Sequence, residues 1–143
     1  MMIRFSEEFS LPVEEVFSYF RTPEDWTRLY GLAGEAKVLG DGWTAVPLES
    51  FPFPLVAKNT VVEPNEHVHW VFRGFWRGEG DVTFTRVGES VRVEGYEKIS
   101  VRWLHFVSPL VEKLFLERSF LAIWEIGWRR LRKRSHSGSE LRS

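Results

Sequence analysis

The chain of 143 residues carries 19 basic and 20 acidic side chains, so no field of one sign points to nucleic acid or to a charged ligand. Twelve Phe, seven Trp and three Tyr must mostly line a core or a pocket wall, and the absence of cysteine excludes disulfides and thiolate chemistry. No stretch reaches the roughly 18 apolar residues of a membrane span, and MMIRFSEEF lacks the apolar run of a signal peptide, so a soluble cytoplasmic protein is expected.

Residues 2–9 alternate apolar and polar, which predicts a strand. Ser10 is a good N-cap, Pro12 suits a first helical turn and Glu14 complements the helix dipole, so a short helix is expected to about Phe20. Thr22-Pro23-Glu24-Asp25 restarts the chain as a second short helix carrying Trp26, Leu29 and Tyr30, with Gly31 and Gly34 ending it.

From Glu35 to Arg102 the pattern is strand and turn, with turn compositions at 40–42, 63–66, 74–78 and 87–90. The loop Ser50-Phe51-Pro52-Phe53-Pro54 is stiff and aromatic, and neither proline suits a central ladder. Strand residues alternate sides, so register can be tested against composition. Turns at 63–66, 75–77 and 87–90 pair Val61 with Val68, Asn59 with Trp70, Trp70 with Val82, Val68 with Phe84, Phe84 with Val93 and Gly80 with Glu97. One apolar face results, holding Leu55, Ala57, Val61, Val68, Trp70, Phe72, Val82, Phe84, Val91, Val93, Ile99 and Val101. Asn59 and Glu97 interrupt it, and Arg86 lies near its rim. A bulge at Gly95 would turn Tyr96 and Lys98 inward in place of Glu97. Composition does not choose a face for 43–49.

A long helix is expected over 109–133, with Leu110, Leu114, Leu121, Trp124, Trp128 and Leu131 on one stripe. Arg118 and Glu125 sit on or beside that stripe, and Phe115, Leu116, Phe120 and Ile123 widen the apolar arc. One domain over 1–134 and a disordered polar tail over 135–143 complete the expected organisation.

Strand, two short helices, an antiparallel run and one long last helix resemble the START/SRPBCC superfamily, the helix-grip fold of the birch-pollen-allergen type. The opening Phe9-Ser10-Leu11-Pro12-Val13-Glu14-Glu15-Val16-Phe17 followed by Pro23-Glu24-Asp25-Trp26 is similar to that family's start, and so is Val62-Glu63-Pro64-Asn65-Glu66 before the Trp70 strand. The resemblance covers residues 2–133. It implies an α+β fold in which a curved antiparallel sheet of about seven strands wraps the last helix around an apolar cavity. It further implies binding of a hydrophobic small molecule or lipid. A polyketide cyclase or aromatase-like enzyme and an interaction protein with a filled cavity are the alternatives.

On this reading the cavity is lined from the sheet by Asn59, Val61, Val68, Trp70, Phe72, Val82, Phe84, Val93 and Glu97. The helix contributes Leu114, Arg118, Leu121, Trp124 and Glu125. A carboxylate on an apolar face must be paired, protonated or in contact with a ligand, and Arg118 is the natural partner for Glu97. His67 and His69 share the opposite, solvent face with no carboxylate evident nearby, and read as surface histidines rather than metal ligands. His105 reads as a loop or capping residue. The basic run Arg129, Arg130, Arg132, Lys133 and Arg134 complements the helix dipole, with peripheral contact to anionic lipid as its rival reading. No catalytic residue, cofactor or metal is assigned, nucleic acid is not an expected partner, and a monomer or homodimer is expected.

Overall fold

The computed structural model describes residues 2–30, 35–48, 53–101 and 109–142, with side chains described over 2–30, 35–48, 53–100 and 117–135. His105, the side chain of Leu114 and part of the 50–54 loop therefore lie outside the described residues. The described residues form seven strands: β1 Met2–Phe9, β2 Lys37–Gly40, β3 Trp43–Val46, β4 Leu55–Glu63, β5 His67–Arg73, β6 Trp76–Val87 and β7 Ser90–Val101. They form one antiparallel sheet in the order β1-β7-β6-β5-β4-β3-β2. Helices α1 Val13–Phe17 and α2 Trp26–Tyr30 follow β1, and α3 Pro109–Arg142 ends the fold.

Local chemistry accounts for these elements. Helix α1 begins after Pro12, with no side-chain cap from Ser10. A 3-10 turn at Pro23–Asp25 leads into α2, and the Thr22 hydroxyl accepts the Asp25 amide at 3.3 Å, as an N-cap does. The expected end of the last helix was Lys133; α3 instead continues to Arg142, and the Arg134 guanidinium is held by Glu15 at 2.6 Å.

The concave face is close to the one read from alternation. Phe84 pairs with Val93, Val82 with Gly95 and Gly80 with Glu97, as expected. No register break occurs at Gly95, so Glu97 faces inward, 5 % exposed. Two registers differ. The β5–β6 turn is a tight one at Gly74-Phe75, with Gly74 at φ 91°, so Trp70 pairs with Gly80 and Val68 with Val82. That displacement is two residues, which preserves the inward face.

The other difference is a bulge in β4 between Asn59 and Val61, after which Val61 pairs with His69 and Val62 with Val68. One extra residue reverses parity, and Val61 is exposed at 38 %, not part of the concave face. Asn59 sits at this irregularity with its Nδ2 donating to the Arg21 carbonyl at 2.8 Å, which ties β4 to the α1–α2 connection.

Helix α3 packs on α2 and β1. Its buried stripe is Phe120, Trp124, Trp128 and Leu131. Leu121 is out of that stripe, 46 % exposed, and Arg118 and Glu125 are exposed with it. The stripe thus keeps Trp124, Trp128 and Leu131 as expected and takes Phe120 in place of Leu121, with Phe120 against the Trp76 ring at 5.2 Å.

Candidate functional site

Between the concave face and α3 lies a mostly enclosed pocket. Trp26 and Tyr30 reach it from α2, Val46 and Leu48 from β3 and the residues after it, and Leu55 from β4. Trp70 of β5, Glu97 of β7, and Phe120, Ile123 and Trp124 of α3 complete the lining. Its free volume is only about 10 Å³, room for about one water molecule.

Aromatic side chains account for the filling. Trp124 packs on Phe5 at 4.6 Å, on Trp128 at 5.2 Å and edge-on to Tyr30 at 5.8 Å. Trp26 meets Trp70 edge-on at 5.2 Å. Such pairs contribute about 0.5–1.5 kcal/mol each beyond their buried area.

Glu97 is the acidic side chain among the described residues of this lining. Across β5, β6 and β7 the register places Trp70, Gly80 and Glu97 side by side on one face. A Cβ at Gly80 would sit 2.2 Å from Trp70 Cε2 and 2.3 Å from its Nε1. The missing side chain therefore lets the indole lie across β6 toward the carboxyl. Burial pushes the Glu97 carboxyl up to about 8, and the indole N–H groups of Trp124 and Trp70, which favour the ionised form, offset only part of that. The Trp70 approach is a long dipolar one, since its buried Nε1 makes no hydrogen bond of normal geometry. Trp26 Nε1 is likewise buried without a partner. The Tyr30 hydroxyl is pushed well above its ordinary value by burial and then by the nearby Glu97 charge, so it stays protonated.

Replacing Gly80 by Val should force Trp70 from this position. The expected loss is about 1–3 kcal/mol in chemical denaturation, the range for overpacked cores, with a changed near-ultraviolet signal from the displaced indole. An unchanged midpoint and spectrum would show that Trp70 does not rest on Gly80.

The residues proposed from the sequence therefore separate. Trp70, Glu97 and Trp124 meet in the pocket. Val68, Phe72, Val82, Phe84 and Val93 are buried core around it. Asn59 is partly buried at the β4 bulge, with its Oδ1 buried and unpaired. Arg118 points to solvent, so it does not neutralise Glu97, and Glu125 pairs instead with Arg132 at 2.7 Å. Trp26 and Tyr30 were absent from that set; the aromatic content of α2 was their one signal.

The outer face of the sheet holds a second polar group. His67 Nε2 and His69 Nδ1 lie 2.7 and 2.8 Å from one Asp81 oxygen. Glu63 approaches His67 Nδ1 at 3.2 Å, and Glu79 approaches His69 Nε2 at 3.2 Å. The expectation that no carboxylate is near is thus corrected: Asp81 is the cross-strand partner of His69, a pairing that the displaced β5–β6 turn creates. Among the described residues no group of three or more His, Asp or Glu is arranged to hold a metal.

The His67 ring is raised from its ordinary value chiefly by the Asp81 hydrogen bond, with burial opposing. Its stabilising contribution is complete below the unfolded value of 6.5 and is lost as pH rises through the higher folded value. Asp81→Asn should flatten that loss, measured as the urea midpoint between about pH 6 and 8. An identical pH profile in the variant would contradict the assignment.

Much of the basic run is paired within the chain. Arg132 reaches Glu125 at 2.7 Å and Glu7 at 3.7 Å, Arg134 holds Glu15, and Arg130 donates to the Arg28 carbonyl. Among the described residues no helix is long and apolar enough to cross a membrane.

Comparisons with solved structures place this architecture. A Thermus thermophilus protein is similar with TM-score 0.71 and 16% identity, over 97% of this chain and 99% of its own. A START superfamily protein from Mycobacterium smegmatis matches with TM-score 0.70 and 13% identity, over 92% and 97%. The Aha1 dimer from Colwellia psychrerythraea matches with TM-score 0.66 and 12% identity, over 94% and 96%. No family model matches the chain, and no curated protein matches it. The fold is thus the START/SRPBCC-type helix-grip fold, an α+β architecture shared with START and Aha1-like proteins.

Proposed function

We propose that the protein binds a small apolar molecule bearing one polar group, held between the concave face and α3. The observation that carries this reading is a polar pole inside an apolar wall. Glu97 is buried with no basic partner among the described residues, beside two buried indole N–H groups without hydrogen bonds. Orphaned buried polar groups destabilise a fold by about 1–3 kcal/mol each, so their concentration in a pocket calls for an occupant. Ligand sites have this composition, predominantly apolar with a few convergent polar groups. The free volume of about 10 Å³ means that the wall, including Phe120 or Ile123, must move to admit anything larger than water.

Native mass spectrometry after incubation with a whole-cell lipid extract is expected to show one small molecule per chain. A spectrum of unliganded chain alone would count against this reading. The near-filled pocket supports a second reading, an interaction module like the Aha1 neighbour, using the α3 surface where Leu121 and Ile126 are each 46 % exposed. Proton-transfer catalysis is less well supported, since the other titratable group in the described lining is Tyr30, which stays protonated.

A further inference from the structure

We infer that the occupant of this pocket is an organic cation, a protonated amine on an apolar body, whose ammonium group docks on the Glu97 carboxylate among the indoles. This rests on the reading that the pocket is a ligand site, and it names the class of ligand.

The first support is charge. Glu97 is 5 % exposed, and the charged and titratable groups facing it are few. Helix α2 presents Tyr30, while β3, β4 and β5 present Val46, Leu55 and Trp70. Helix α3 presents apolar and aromatic side chains, and Arg118, the cation nearest in sequence to that wall, points to solvent. An anionic ligand would find no cation among the described residues of the site, and it would oppose ionisation of the carboxyl. A cationic one takes the place of the carboxyl proton and completes an ion pair with the only acidic group in the described lining.

Hydrogen-bond capacity is the second support. An ionised carboxylate has about four lone-pair sites and donates nothing. The Trp70 and Trp124 N–H groups face it and favour its ionised form. An ammonium N–H adds a further donor, favours loss of the carboxyl proton and lets the resulting carboxylate accept from the indoles as well. A neutral carbonyl ligand would instead accept from the protonated carboxyl, compete with it for the same indole donors and release no proton.

The walls are the third. The rings of Trp26, Trp70, Trp124, Tyr30 and Phe120 line the same pocket as the carboxyl, and the negative faces of aromatic rings attract desolvated cations. The free volume of about 10 Å³ fits an ammonium head, and the apolar body must displace the Phe120 or Ile123 side chain.

Binding of such a cation ionises Glu97, so it releases a proton from the protein near neutral pH. The test is calorimetry at about pH 7 with decylamine, decanol and decanoate, in phosphate and in Tris to count the protons exchanged. Decylamine is expected to bind at least about tenfold more tightly than decanol or decanoate, with nearly one proton released per chain. Glu97→Gln should weaken decylamine about tenfold or more and abolish the proton release. The proton count on the unmodified protein stands even if that variant folds poorly. Equal or tighter binding of decanol or decanoate, or no proton release, would overturn the cation assignment while leaving the pocket a ligand site. Binding of none of the three would remove both.

Discussion

Replacing Glu97 by Gln is expected to leave the protein about as stable as the unmodified chain at low pH and markedly more stable at high pH. Below about 4.5 the carboxyl is protonated folded and unfolded, and it contributes no difference. Between that value and about 8 the unfolded chain gives up a proton that the folded chain keeps, so stability falls as pH rises. Above about 8 the penalty is constant. At 1.36 kcal/mol per pKa unit the whole window is worth on the order of 5 kcal/mol, with about 3 kcal/mol of it present at neutral pH. Because His67 and the surface carboxylates titrate alike in both proteins, the difference between the two pH profiles isolates Glu97. Parallel profiles would show that the carboxyl is paired or solvated.

Trp124→Ala is expected to remove about 3–5 kcal/mol, the range for truncating a large buried aromatic. Trp124 is 3 % exposed and contacts Phe5, Trp128 and Tyr30, so its loss leaves a hole that rigid neighbours fill poorly. The matched control is Leu121→Ala on the same helix, which should cost under about 1 kcal/mol because Leu121 is 46 % exposed. The hole also offers a rescue: indole at millimolar concentration should raise the melting temperature of the Trp124 variant and not that of the unmodified protein. Similar losses from both substitutions would mean that α3 is set at a different rotation.

These two residues also show what a sequence reveals of such a site. Glu97 was legible because alternation is strict along β6 and β7, and the turn between them keeps Phe84 opposite Val93. The partner of Glu97 was not legible. A helix apolar over a wide arc has several settings that bury similar area, and a fraction of a turn exchanges Leu121 for Phe120 and leaves Arg118 in solvent. The bulge at Asn59–Val61 has no glycine or proline to announce it, so alternation alone puts Val61 on the wrong face. The tight turn at Gly74-Phe75 had a similar hidden effect. By moving β6 two residues against β5 it set Trp70 over Gly80 and brought Asp81 to His69. Inward parity survived that displacement, and cross-strand neighbours did not. Fold and facing are thus written in periodicity, whereas the chemistry of the site depends on register and rotation, which periodicity leaves free.

The most direct measurement is a carbon-13 NMR titration of the glutamate side-chain carboxyls, with Glu97→Gln providing the assignment. One resonance, absent from the variant, should titrate with a midpoint near 8 and move to lower pH when decylamine is added. A Glu97 midpoint in the ordinary range near 4.5 in the free protein would contradict a buried, unpaired carboxyl at the heart of the pocket.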